Sequence, residues 1–249
     1  MVILKQPEEI DKIRDCNQVV AEILLELRSV VKPGVTTGEL NELAEDLAAR
    51  KKVKPAFKGY LGYPYSLCTS VNNEVVHGLP SERVLIEGDI ISLDFGVFKN
   101  GYYGDAAITV PVGKISVFAA RLLQVTEKGL EDAIGAARAG NRLGDISFAV
   151  QSCAEAAGYS VVRDFVGHGI GRSLHEDPQV PNFGVPGRGM ELKIGMVLAI
   201  EPMVNAGTYR VKVKPDEWTV VTEDADLSAH FEHSVAITSA GPVVLSRLH

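Results

Sequence analysis

The sequence predicts an α+β chain made of two half-repeats, each with two helices followed by strands. Apolar residues recur at helical spacing over the first fifty residues. Strand-like runs meeting at an Asn-Gly turn come next. The same order of signals then returns 106 to 107 residues later.

The first helix is expected from Pro7 to about Val31. Pro7 suits the first helical position, Glu8, Glu9 and Asp11 suit the positive end of the helix dipole, and Pro33-Gly34 stops it. Ile10, Ile13, Val20, Ile23, Leu24 and Leu27 mark its buried face. A second helix begins near Thr37, with Leu40, Leu43, Ala44 and Leu47 inward and Arg50-Lys51-Lys52 at its negative end.

The second half echoes the first. Lys32-Pro33-Gly34 with Gly38-Glu39-Leu40 is matched by Arg138-Ala139-Gly140 with Gly144-Asp145-Ile146. Leu85-Ile86-Glu87-Gly88-Asp89-Ile90-Ile91-Ser92-Leu93-Asp94 is matched by Leu192-Lys193-Ile194-Gly195-Met196-Val197-Leu198-Ala199-Ile200-Glu201. Two matches in order at nearly one offset point to a duplication, against the alternative of two unrelated helix-then-strand units. The halves run from about 1 to 112 and from 113 to 249, and together they are expected to form a single catalytic domain. A repeat present only twice is no solenoid.

Each half ends a buried-looking strand with a carboxylate. Asp94 closes Ile90-Ile91-Ser92-Leu93, and Asn100-Gly101 turns the chain back into a strand from Tyr102 to Val110. With that turn, opposed residues sum to 201. Asp94 then faces Ala107, and Asp105 lies on the same face, diagonal to Asp94. The second half places Glu201 and Glu232 in similar strand-like runs. One such acid alone reads equally well as an edge-strand surface group. Four in symmetry-related pairs repel one another in an apolar setting unless a cation, proton or base lies between them. Two divalent cations would neutralise them, and oxygen-rich ligation suits Mn, Fe, Co, Zn or Ni better than a structural zinc site.

The composition excludes several classes. The 249 residues, 46% hydrophobic, suffice for a substantial core, and no apolar run is long enough to span a bilayer. The start of the chain lacks a secretory pattern. A formal charge of −7 without a basic cluster argues against a nucleic-acid partner. The three scattered cysteines, Cys16, Cys68 and Cys153, fit a reducing, cytoplasmic compartment.

Two histidines sit beside glycines that permit close approach: His168 in Val166-Gly167-His168-Gly169-Ile170-Gly171, and His77 in Val75-Val76-His77-Gly78. Either, taken alone, is more often a surface or hydrogen-bonded core residue. The GHGIG stretch lacks the order and the lysine of a phosphate loop. His230 and His233 read as solvated or hydrogen-bonded strand residues.

The segments SVNNEVVHGLP (70–80), ISLDFG (91–96), GDAA (104–107), GHGIGRSLHE (167–176), IEPM (200–203) and FEHS (231–234) together resemble the methionine aminopeptidases. These belong to the "pita-bread" fold shared with prolidase and aminopeptidase P, a central antiparallel sheet covered by helices with an internal pseudo-twofold. The resemblance implies two divalent metal ions. Asp94 would chelate one and His168 with Glu201 the other, while Asp105 and Glu232 bridge them. It implies that His77 and His175 contact the scissile amide, that Glu201 moves the proton, and that Tyr60, Tyr63, Cys68 and Trp218 line a methionine pocket. Phe57 and Leu174 stand where some relatives carry other apolar residues. The chain lacks a zinc-binding N-terminal extension and a long helical insertion between His175 and Glu201, which implies a compact, type I, bacterial-style enzyme.

The implied activity is removal of the first methionine from nascent polypeptides when the second residue is small. A monomer with transient ribosome contact and no membrane association is the matching expectation. The alternatives are an X-Pro peptidase of the same fold and a non-catalytic module that kept the fold.

Overall fold

The computed structural model describes residues 2–248; Met1 and His249 lie outside the described part. The first half comprises α1 (Pro7–Val30), α2 (Thr37–Arg50), β1 (Lys54–Pro55), a short 3-10 turn at Tyr60–Gly62, β2 (Leu67–Val71), β3 (Glu74–Val76) and the long hairpin β4 (Ile90–Lys99) with β5 (Tyr102–Pro111). The second comprises α3 (Val117–Ala136), α4 (Leu143–Ala156), β6 (Ser160–Val161), β7 (Val166–Gly169), β8 (Glu176–Pro181) and β9 (Val197–Ile200). It continues with β10 (Met203–Asn205), β11 (Val211–Val213), β12 (Val220–Thr222), β13 (Ser228–His230), β14 (Glu232–Thr238) and β15 (Gly241–Val244). The ends of α1 and the start of α2 fall within one residue of those expected. The run from His230 to Ile237, read as one strand, is two, broken at Phe231.

The repeated residues carry the same backbone devices in both halves. Gly34 and Gly140 turn the chain with φ of 95° and 91°. Each N–H then bonds the carbonyl of a distant leucine, Leu85 at 2.8 Å and Leu192 at 3.0 Å. The acids that follow, Glu39 and Asp145, each accept the N–H of the residue just ahead of the helix, Thr36 and Arg142, at 2.7 Å. This satisfies an N–H the helix leaves unpaired and sets negative charge at the positive end of the dipole. The aliphatic residues next in line, Leu40 and Ile146, are buried.

The main sheet runs β1-β4-β5-β14-β9-β7-β8, with β2 also on β4 and β15 on β14, and each of these pairings is antiparallel. A pseudo-twofold passes between β5 and β14, so β2-β4-β5 mirrors β7-β9-β14. Helices α1 and α2 cover the first half of the sheet around Ile13, Ile23, Leu27 and Leu40. Helices α3 and α4 cover the second around Leu122, Leu130, Ile146 and Val150. No helix among the described residues is long and apolar enough to cross a membrane.

Helix α1 approaches β5 most closely at Gly104, where an added Cβ would lie 2.7–2.8 Å from Asn17 N and the Cys16 backbone. Asn17, buried beside it, accepts the N–H of Asp105 at 3.2 Å. Gly104→Ala is therefore expected to push α1 outward and destabilise the protein by about 1–3 kcal/mol. Urea unfolding with an unchanged midpoint would contradict this close packing.

Candidate metal centre

Strand register brings the acids to one face. Cys68 pairs with Asp94, Asp94 with Ala107, and Ala107 with Glu232, so the four form one row across β2, β4, β5 and β14. Side chains directly opposed across a sheet share a face, as do residues two apart along a strand. Asp105, two residues before Ala107, joins them. Glu201 follows the His233–Ile200 pair by one step and so comes beside Glu232. His168 opposes Ala199, two residues from Glu201. Five residues from both halves thus meet on the concave side of the sheet.

Distances agree with that register. His168 Nε2 stands 3.6 Å from Glu201 Oε1 and 4.0 Å from Asp105 Oδ2. One ligand atom each from Asp105, His168 and Glu232 lies within 4.8 Å of the others. His168 Nδ1 is 2.9 Å from the carbonyl of Gly169. A carbonyl only accepts, so Nδ1 carries the proton and Nε2 presents its lone pair to the acids.

The electrostatics are severe. Burial pushes Asp94 up to about 7 and Glu201 up to about 8. Burial, then the charge of neighbouring acids, holds Asp105 and Glu232 well above the carboxylate range. Burial lowers His168 to about 3 and His77 to about 4, so both imidazoles are neutral. Among the described residues, five buried side-chain polar atoms lack a hydrogen-bond partner, and four are here: Asp94 Oδ1, Asp105 Oδ1, Glu232 Oε1 and His230 Nε2. Orphaned carboxylate oxygens around an imidazole lone pair fit divalent cations, which reverse the local pKa pattern.

All eleven residues expected at the site line one cavity of about 130 Å³, together with Phe57, Leu61 and Leu174. Tyr63, Cys68 and Trp218 make up much of its less polar lining. Tyr63 donates its hydroxyl to the carbonyls of Leu67 and Gly78 and packs edge-on against Trp218 at 5.1 Å. Cys68 is buried beside them, its thiol pushed up by burial. His77, Asp94, His168, His175 and Glu201 also face an adjoining open cleft of about 610 Å³.

His77 adopts φ 58°, a strained conformation for a non-glycine residue. The following Gly78 is compelled by space: a Cβ there would meet Thr69 O at 2.3 Å. His175 stands exposed at the rim, its Nδ1 2.9 Å from the Tyr60 hydroxyl.

His230 corrects the sequence reading. It is 1% exposed, its Nε2 has no hydrogen-bond partner, and that atom lies 3.6 Å from Glu201 Oε2. A lone histidine in a strand carries no signal of this. Its position two residues before Glu232, on a strand ending at the same face, was the only available hint. His233 fits the reading, with Nδ1 bonded to Ser246 Oγ at 2.8 Å.

The sequence pattern of metallopeptidase family M24 matches residues 11–239. The chain belongs to this family. The M24 chain is 53% identical over 247 residues to a methionine aminopeptidase of Clostridium acetobutylicum, covering 99% of each. It is 50% identical over 248 residues to methionine aminopeptidase 1 of Bacillus subtilis, covering 100% of each. Among solved structures, a methionine aminopeptidase from Thermotoga maritima superposes with a TM-score of 0.98 at 49% identity, over 100% of both chains. A prolidase from Pyrococcus furiosus superposes at 0.81 and 21% identity, over 99% of this chain and 66% of that one, a likeness of fold alone.

Linkage gives a test of cation fit in this M24 site. Asp94 and Glu201 have folded-state values of about 7 and about 8, above their ordinary 3.8 and 4.5. The folded protein then binds protons more tightly than the unfolded chain, so these groups' stabilising contribution falls as pH rises through that window. Thermal midpoints under chelator are expected to drop as pH rises from about 4 to about 8, and saturating Mn²⁺ to flatten the drop. The same slope with and without Mn²⁺ would count against cation binding here.

Proposed function

We propose that the protein removes the N-terminal methionine of polypeptides, acting as one catalytic unit on chains whose second residue is small. The observation that carries this is one cavity in which Tyr63, Cys68 and Trp218 stand beside Asp94, Asp105, His168, Glu201 and Glu232. Relatives matched over the whole chain and named for the same activity support it. Two divalent cations, of Mn, Fe, Co, Zn or Ni, would sit among Asp94, Asp105, His168, Glu201 and Glu232. Four carboxylates balance two divalent charges. Bound there, the cations supply Lewis acidity toward water and the scissile carbonyl.

The protein's own groups do the rest. Glu201, with its carboxyl held high and His230 at its far oxygen, takes the proton of the attacking water and delivers it to the departing amine. His77 and His175 donate hydrogen bonds to the oxygen of the scissile carbonyl as negative charge develops on it. Tyr60 braces His175 through its Nδ1. The pocket of Tyr63, Cys68 and Trp218, narrowed by Phe57 and Leu174, accepts an unbranched thioether and excludes charge. The open cleft beyond leaves room for the rest of the peptide.

A cytoplasmic monomer meeting nascent chains near the ribosome is the setting this reading implies. The X-Pro reading shares only the fold, and a non-catalytic module has no need of a complete ligand set.

Two assays test the proposal. Metal-loaded protein is expected to cleave a Met-Ala-initiated peptide and to leave an Ala-Pro peptide intact; the reverse preference would overturn it. Glu201→Gln is expected to fold normally while losing about 10²–10⁴-fold in kcat. Near-native turnover in that variant would remove Glu201 from the proton-transfer role.

A further inference from the structure

Lys5 and Glu176 form an ion pair inside the protein, 171 residues apart in sequence. Nζ and Oε2 are 2.5 Å apart, and the two side chains are 3% and 7% exposed. A buried pair is tolerated only where its other lone pairs are satisfied. Here they are: Glu176 Oε1 accepts the backbone N–H of Arg172 at 2.7 Å and of Ser173 at 3.1 Å.

The carboxylate thereby ties down the turn just ahead of His175. Gly171 within that turn donates its N–H to Ser173 O at 3.2 Å and accepts the Tyr103 N–H at 2.8 Å. A Cβ on Gly171 would lie 2.6 Å from Lys5 Cε and 2.8 Å from Glu176 Oε1, so the lysine stem and the turn are in direct contact. Lys5 is itself anchored, its N–H donating to Gly195 O at 2.7 Å. Regular strand begins only at Glu176, the first residue of β8. His175 projects from the last residue of the irregular stretch, and Glu176 is the joint between that stretch and the sheet.

We infer that Lys5 is a positioning residue for His175. Through Glu176 it fixes the turn at 171–173 and with it the aim of the imidazole into the cleft. The segment ahead of α1 is therefore part of the machinery of the site, although it contributes no group to the cavity. The inference rests on the reading that His175 contacts the substrate. Positioning errors of about 1 Å cost up to about 10²-fold in rate, so a loosened turn acts on turnover before it acts on binding.

The test uses the full-length, metal-loaded protein and a Met-Ala-initiated peptide. Lys5→Met keeps the apolar stem and removes the charge. It is expected to lower kcat by about 10- to 100-fold with KM and bound metal per chain essentially unchanged, and Lys5→Arg to restore most of the loss. In a His175→Ala background, Lys5→Met is expected to have no further effect on kcat, because residues acting through one another are not additive. Should Lys5→Met fail to fold, Glu176→Gln carries the same comparison.

Either of two results overturns the proposal. One is a Lys5→Met protein of wild-type kcat and reduced thermal midpoint, beside a His175→Ala protein that has lost activity. The other is an equal loss from Lys5→Met with and without His175. A His175→Ala protein with full kcat would instead sink the reading of His175, and this proposal with it.

Discussion

Four carboxyl groups of one charge sign, buried on one face of a sheet, are the constraint around which this molecule is organised. In a low-dielectric setting they cannot all ionise without compensation. Among the described residues, Asp94, Asp105, Glu201 and Glu232 have no lysine or arginine within 4 Å; the ion-pair partners they have are His168 and His230. Both imidazoles are held toward the neutral form by burial. The remaining solutions are protons, which leave the site inert, or cations, which make it reactive. The fold suits the second: Asp94, Asp105, His168 and Glu232 stand on strands, with Glu201 just past the end of β9.

Duplication explains how so many acids came to one place. The halves meet along β5 and β14, and each brings its carboxylates to that seam. The backbone devices have stayed alike: paired glycine turns, acid-capped helices and matching bonds to Leu85 and Leu192. The uses of the two edges have diverged. The first half lends Tyr60, Tyr63 and Cys68 to the small cavity, while both halves line the open cleft, through His77 and Asp94 of the first and His168 and His175 of the second. Trp218, from the second half, packs edge-on against Tyr63 of the first.

Much of this was legible in sequence because the decisive signals are local. Asn100-Gly101 allows one hairpin register, and the pairing of Asp94 with Ala107 that follows from it is the one observed. The 106-residue echo identified the helix pairs because their capping acids and close-packed glycines are compelled by local geometry. What could not be read was long-range. The pairing of β14 with β5 places Glu232 opposite Ala107, yet no turn links those strands. His230 looked ordinary because a single imidazole in a strand has no periodic signature, and only tertiary packing aims it at Glu201. Lys5 carries no sequence signal for the same reason, its partner being 171 residues away.

The central claim is that the four acids and His168 share a pair of cations. Counting them tests it most directly, by elemental analysis of protein equilibrated with excess Mn²⁺ and then freed of unbound ion. Two ions per chain are expected in the parent protein, and fewer in an Asp105→Ala, Glu232→Ala variant that still folds. Two ions retained by that variant, or none in the parent, would contradict the account.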